Sequence, residues 1–401
     1  MKTTTNNVVS LIISADWHIG ATDPYRFKKE LMTMVKETIK EKQSLDLFIV
    51  SGDTFDMKEY LSSDSVKVFF LIMAELLELT KPLNTQFRFL EGTRTHDALQ
   101  LSTLKIVFEN LLKNKRVKFI EEVCEESLLG MNVLYIPEEY VIDEEEYYQT
   151  YFNKAKNRRY DFLFGHGNTD LMWFAKKLKP SKGAHAPLFK ASILSDYAYY
   201  SYFGHFHYKV EGGNNNNFKS IGPVSRWEFG KEDECGFYCV EYDKTTNVAI
   251  EEYIENIYAP KLPSIVFTIK RDYDLETLNK KIRSKLDSVK QSADKVRIIV
   301  NIDASLSSFI VMRDFILSSF SNLENVTLLL KTFGVDESES DEESTETADI
   351  ENSVVEKPYL YDKTMHDEAR IAAFIRKKEG INISLESILD VIQKKDTKIS
   401  I

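Results

Sequence analysis

Cysteine is scarce in this sequence. There are three among 401 residues (Cys124, Cys235 and Cys239), an odd set with no CxxC pair. That excludes a disulfide framework and a zinc knuckle, points to a reducing compartment, and leaves the three as small buried apolar residues. Long hydrophobic runs are missing too. The longest, Val68 to Ala74, falls far short of the roughly 20 residues that cross a bilayer. Met1 to Asn7 are polar and lack the apolar core of a signal peptide. A cytoplasmic protein with no membrane partner is expected. No GxxxxGKS or GxxxxGKT motif occurs, so any ATP dependence belongs to another chain. An excess of base is also lacking, since the net charge is −11. The acidity is local, however. Asp336 through Glu356 holds ten acids and no base, and taking ten from −11 leaves −1 for the rest. The folded parts are therefore not barred from a DNA partner.

What is present falls into ordered segments. Val8 to Ser14 is a near-continuous apolar run, as expected of a strand buried on both faces. A helix is predicted from Pro24 to Lys42, with proline in its first turn, then a buried strand over Leu45 to Ser51. A helix over Ser65 to Leu79 and a strand over Phe87 to Leu90 follow. Further strands are predicted at Lys118–Ile120, Asn132–Ile136, Asp161–Phe164 and Tyr199–Phe203, with an acidic helix near Asp143–Arg158. Phe218 to Ile221, Cys235 to Tyr242 and Val248 to Ile257 read as a successive antiparallel meander. Alternating β and α followed by such a meander predicts an α/β fold of layered sheets flanked by helices over residues 1–258.

A composition shift at Ala259-Pro260-Lys261-Leu262-Pro263 opens a small β-α-β-α-β domain, residues 259–334. Its strands carry no histidine, so it reads as a cap or recognition element. Residues 335–357 form an acidic linker whose like charges and low hydrophobicity predict disorder. Residues 358–401 hold two amphipathic stretches, Asp367 to Lys378 and Ser384 to Lys394, joined by Gly380-Ile381-Asn382. A helical hairpin of that size cannot bury its apolar stripe alone. The flexible tether before it favours docking on a partner chain over packing back on the enzyme.

Five of the seven histidines, and three aspartates that end or follow apolar runs, fall in five places: Asp16-Trp17-His18, Gly52-Asp53, Thr95-His96-Asp97, Gly165-His166 and His205-Phe206-His207. The outer two alternate metal-binding side chains with an aromatic. On an extended segment both ligands point one way and the ring the other. The simplest account is a two-metal site built from strand ends. Hydrolysis of a phosphodiester at neutral pH needs hydroxide, neutralised phosphate oxygens and a stabilised leaving group, and two divalent ions supply all three. Asp53, after a buried strand and a glycine, is the natural bridge. Asp16, His18 and His207 complete one shell, and His166 and His205 the other. A mixed N/O shell with open positions suits Mn²⁺ or Fe²⁺ better than a structural zinc.

The ordered set Asp16-Trp17-His18-Ile19-Gly20, Gly52-Asp53-Thr54-Phe55-Asp56, Thr95-His96-Asp97, Gly165-His166-Gly167 and Gly204-His205-Phe206-His207 resembles the calcineurin-like metallophosphoesterases. Within them it is similar to the SbcD-type DNA nucleases, particularly phage versions. The resemblance is specific over 1–258 and looser beyond. It implies a double-sheet phosphoesterase domain, two Mn²⁺ ions, and cleavage of DNA as a 3′-to-5′ exonuclease and endonuclease in replication, recombination or repair. It also implies a homodimer, through Ser65–Leu79 or Leu101–Asn114, and an SbcC-type coiled-coil ATPase bound by the C-terminal hairpin. By it Asp16, His18, Asp53 and His207 bind the first metal, and Asp53, His166 and His205 the second. His96 steadies phosphate charge or protonates the leaving oxygen, with Asp97 orienting it.

One departure stands out. The family reads Gly-Asn-His-Asp where this chain has Gly92-Thr93-Arg94-Thr95-His96-Asp97, two residues longer, with Thr95 in the place of the metal-binding asparagine. A hydroxyl is a poorer ligand than an amide carbonyl, so the second metal is expected to bind less tightly than the first, with Arg94 leaning toward the scissile phosphate. Other tempting residues read as structural: His185 and His366 as surface residues, Tyr197, Tyr199, Tyr200 and Tyr202 as core and rim packing, Asp56 as a loop brace. Two rival functions keep the same scaffold, a small-molecule phosphatase or phosphodiesterase and a non-catalytic scaffold.

Overall fold

A computed structural model describes residues 7–60, 62–97, 100–172 and 185–334. The acidic segment beyond Gly334, the C-terminal hairpin and His366 lie outside the described residues. The chain divides into two compact units. Among the described residues, the first reaches to Pro263 and takes in Val289–Lys295; the second holds Ser264–Ser288 and residues 296–334.

The first unit is α/β with two six-stranded mixed sheets. Its elements in chain order are β1 (Val8–Ser14), α1 (Pro24–Lys42), β2 (Leu47–Ser51), α2 (Asp64–Leu79), β3 (Gln86–Leu90), α3 (Leu101–Lys105), β4 (Val117–Ile120), β5 (Cys124–Leu128) and β6 (Met131–Ile136). There follow α4 (Glu144–Asn157), β7 (Tyr160–His166), β8 (Asn168–Thr169), β9 (Leu188–Phe189), α5 (Ala191–Tyr197), β10 (Ala198–Gly204), β11 (Val210–Gly212), β12 (Phe218–Ser220), β13 (Gly236–Asp243) and β14 (Val248–Glu255). One sheet runs β14-β13-β1-β2-β3-β4, the other β11-β12-β10-β7-β6-β5. Strands β1 to β4 are mutually parallel, as are β6, β7, β10 and β12.

Alternation along the strands sorts the core into layers. Leu11, Ile13, Leu47 and Ile49 face Val133, Tyr135, Phe162 and Phe164 of the other sheet. Their neighbours Ile12, Phe48 and Val50 turn to the other face, against Leu31 and Val35 of α1 and Phe69 and Ile72 of α2. On the far side of the second sheet, Leu134, Leu163 and Phe203 meet Tyr148 of α4 and Leu194 of α5. Strands buried on both faces read as unbroken apolar runs for this reason. Helix α1 begins at Asp23, whose carboxylate caps the backbone N–H of Tyr25, with Pro24 in the first turn; it ends on Gln43 in the left-handed region.

The expected meander is corrected in its first member. Strand β12 joins the second sheet, parallel to β10 and antiparallel to β11, while only β13 and β14 pair in sequence. Short apolar runs carry no label for their partner, so sequence order alone suggested the pairing.

The second unit is a parallel three-stranded sheet, β15 (Ser264–Ile269), β16 (Val296–Asp303) and β17 (Val326–Phe333), with α6 (Leu275–Lys290) and α7 (Phe309–Phe320) as crossovers. Each helix buries one stripe at i, i+4, i+8: Leu278, Ile282 and Leu286, then Met312, Ile316 and Phe320. None of the described helices is long and apolar enough to cross a membrane.

Candidate metal centre

The first unit's parallel strands of both sheets bring their C-terminal ends to one place, where open α/β sheets receive ligands. Asp16 and His18 follow β1, Asp53 follows β2, Thr93 and His96 follow β3, and Glu138 follows β6. His166 ends β7, and His205 and His207 follow β10. The loops are laced together: the Asp16 N–H donates to the Gly52 carbonyl at 3.1 Å and the His18 N–H to that of Asp53 at 3.0 Å. Two close approaches require glycine. A Cβ on Gly52, whose φ is +82°, would lie 2.1 Å from His166 Nδ1, and one on Gly92 would lie 2.1 Å from the Asp53 nitrogen.

The backbone at the ligands is not extended, which corrects the strand alternation expected for the two outer pairs. Asp16, His18, Asp53 and His205 adopt left-handed φ of 49°, 42°, 49° and 87°. Such conformations cost of order 1–3 kcal/mol each and collect where function holds them. The outcome is nonetheless the one alternation implied. Trp17 turns into the helix-side core, its ring 5.9 Å from Phe27 and 5.8 Å from Phe89, while the flanking Asp16 and His18 face the cluster.

Asp16, His18, Asp53 and His207 each bring one donor atom within 4.8 Å of the others, and Asp53, His166 and His205 do the same. Asp53 belongs to both sets. In the first, His18 Nε2 and His207 Nε2 face each other at 3.0 Å, and Asp16 Oδ2 is buried with no hydrogen-bond partner. Its other oxygen accepts from the His205 N–H at 2.9 Å. Outer partners hold the rings. Glu228 lies 3.1 Å from His207 Nδ1, Asp56 lies 3.5 Å from His18 Nδ1, and Trp227 packs against both rings at 4.7 and 5.0 Å.

In the second set, His166 Nδ1 donates to the Ser51 carbonyl at 2.8 Å, which leaves Nε2 to face Asp53 Oδ2 at 3.3 Å. The threonine here is Thr93. Its hydroxyl lies 3.2 Å from Asp53 Oδ2, 3.3 Å from His166 Nε2 and 3.2 Å from His205 Nδ1, and its N–H donates to Asp53 Oδ1 at 2.6 Å. Thr95 is exposed, which corrects its assignment to the asparagine's place. The N–H groups of His96 and Asp97 both donate to the Thr93 carbonyl at 2.9 Å, so the two extra residues are taken up as a turn after Thr93. Thr93, and not the exposed Thr95, is therefore the threonine of this loop that faces the donor atoms. The exposed Arg94 stacks over Tyr140 at 4.5 Å.

His96 stands at the rim with its ring 4.6 Å from that of His18. The role given to Asp97 is also corrected. His96 Nδ1 donates to the Asp56 carbonyl at 2.5 Å, whereas the Asp97 carboxylate accepts from the Phe55 and Gly92 N–H groups at 3.0 and 2.8 Å. Asp97 thus ties the β2 and β3 loops together, and the backbone orients His96.

The charges are tightly interlocked. Burial opposes a charged His166, but Asp53, Asp16 and Glu138 outweigh it and raise its pKa to about 10. Burial likewise opposes ionisation of Asp53, yet His166 and His18 hold its carboxyl well below the usual range. Burial depresses His18 despite the nearby Asp56. Asp97, desolvated and beside Asp53, is pushed up to about 7.

Thr93, Glu138, Glu228 and Trp227 escaped the sequence reading. Glu138 and Glu228 sit outside the histidine motifs, among many surface acids, so nothing local marks them. His185 pairs with Glu144 at 3.2 Å, away from both donor sets. Tyr202 is fully buried, Tyr197 stacks on Phe152, and the Tyr200 hydroxyl accepts from the Ala249 N–H, all as packing.

A buried carboxylate oxygen without a partner, imidazoles of which His166 and His207 have their outer nitrogens held, and a shared aspartate are the chemistry of a cation site. These buried Asp and His groups could hold a metal ion. No protein-family model and no curated protein matches the chain.

Proposed function

We propose that this chain is a Mn²⁺-dependent DNA nuclease subunit of SbcD type, on a metallophosphoesterase scaffold, hydrolysing phosphodiesters with two divalent ions. The observation that carries the reading is the meeting of two donor sets on one aspartate, Asp53, at the shared strand ends. Two ions held there would supply Lewis acidity and a nucleophile at neutral pH. The residues do the rest. Asp53 spans both sets, Asp16, His18 and His207 hold one side, and His166 and His205 hold the other. His96, its Nδ1 fixed by a carbonyl, presents Nε2 to the leaving oxygen and delivers a proton to it. Arg94, at the rim, is available to the DNA backbone. The second unit serves as the cap that receives DNA, and residues 358–401, for which the sequence predicts a helical hairpin, dock an SbcC-type ATPase.

The test is cleavage of end-labelled duplex and hairpin DNA with Mn²⁺ or Mg²⁺, with and without that ATPase. Mn²⁺-dependent cleavage that His96→Asn abolishes, with metal uptake intact, is the expected result. Turnover of nitrophenyl phosphate without DNA cleavage would establish the small-molecule phosphatase instead. Inactivity on both, with Mn²⁺ and partner present, would establish the scaffold.

A further inference from the structure

We infer that Glu138 is a direct ligand of the second divalent ion, standing with Thr93 in place of the asparagine that the SbcD-type pattern carries. The inference rests on the two-metal reading above. Glu138 follows β6 and its carboxylate is buried. Its Oε2 lies 3.2 Å from His205 Nδ1, 3.6 Å from His166 Nε2 and 3.2 Å from Thr93 Oγ1. Thr93 Oγ1 in turn lies 3.2 Å from Asp53 Oδ2, 3.3 Å from His166 Nε2 and 3.2 Å from His205 Nδ1, and Asp53, His166 and His205 form the second donor set. Donors about 2.1 Å from one octahedral ion lie roughly 3 Å apart, and Glu138 Oε2 stands near that spacing from the two imidazole nitrogens and the Thr93 hydroxyl.

An outer carboxylate that only orients a histidine sits behind the ring, on the nitrogen turned away from the ion. Glu228 does so at His207, on Nδ1, while Nε2 faces His18. Glu138 does the reverse. His166 Nδ1 is taken by the Ser51 carbonyl, so Glu138 approaches the nitrogen left for the ion, and it approaches two different imidazoles at once. A bare Thr93 hydroxyl would leave this side with one carboxylate. Glu138 adds a second and shifts the site toward hard divalent cations. It follows that the second ion is not the weak one that the missing asparagine suggested.

Mn²⁺ titration of the full chain by calorimetry, with electron paramagnetic resonance at each step, tests this. The wild type should take up two Mn²⁺ and give an exchange-coupled spectrum. Glu138→Gln should keep one Mn²⁺ at unchanged affinity, lose the other by 10-fold or more, and show a mononuclear spectrum. Adding Thr93→Asn to it should restore the second uptake. If Glu138→Gln misfolds, Glu138→Asp keeps the charge, draws it back by one methylene and should show the same selective loss. Two Mn²⁺ bound by Glu138→Gln with wild-type affinity and coupling would overturn the assignment. A wild-type DNA cleavage assay run alongside separates the two readings. Selective loss of one Mn²⁺ with no cleavage by the wild type would overturn the nuclease and support the ligand. Cleavage by the wild type with no loss in Glu138→Gln would do the opposite.

Discussion

The two halves of the site are built differently although they share Asp53. The half around Asp16, His18 and His207 is braced from behind: Glu228 holds His207, Asp56 flanks His18, and Trp227 packs on both rings. The half around His166 and His205 has the Ser51 carbonyl behind His166. Its extra groups, Thr93 and Glu138, crowd into the centre instead. One half is tuned by what orients its ligands, the other by what is added to them. Substitutions should therefore separate the halves by which metal they lose.

The largest effect is expected where the comparison breaks down. Asp53→Asn removes the group common to both halves. Mn²⁺ uptake at each should fall by more than about 100-fold, beyond the 10–100-fold typical of outer partners, with cleavage lost; calorimetry and a nuclease assay read both. Next comes His96→Asn; His96 packs against His18 but belongs to neither of the two donor sets that share Asp53. Cleavage should drop by about 10²–10⁴, the usual contribution of a positioned acid or base, while calorimetry still counts two Mn²⁺. Glu228→Gln sharpens the contrast: the first half should weaken by about 10-fold and the second stay unchanged. The smallest effects come from the paired threonines. Thr93→Val should weaken the second ion several-fold, whereas exposed Thr95→Val should leave Mn²⁺ affinity within experimental scatter. Equal effects from the two would return the asparagine's place to Thr95.

The half around Asp16, His18 and His207 was legible because its ligands stand in short, rare pairs after apolar runs. Strand, loop and ligand all lie within a few residues there, as at Val8–His18. The predicted helix from Pro24 to Lys42 is present with those bounds for the same local reason: a cap, a proline and a continuous apolar stripe. The other half was only partly legible. Which threonine of Thr93-Arg94-Thr95 faces the donors is not marked in sequence, and the turn closing on the Thr93 carbonyl decides it. Glu138 and Glu228 reach the site through strand pairing across the second sheet and through the loop before β13, contacts that leave no local pattern. The role expected for Asp97 failed likewise, because adjacency in sequence to His96 said nothing of the loop it would bind. The left-handed backbone at Asp16, His18, Asp53 and His205 is tertiary in origin too.

A crystal structure of the Mn²⁺-soaked protein, with anomalous diffraction collected at the manganese edge, tests the central claim most directly. The account predicts two anomalous peaks about 3.5–4 Å apart, both within bonding distance of Asp53, one among Asp16, His18 and His207 and the other among His166, His205 and Glu138. A single peak, or two peaks that do not share Asp53, would contradict it.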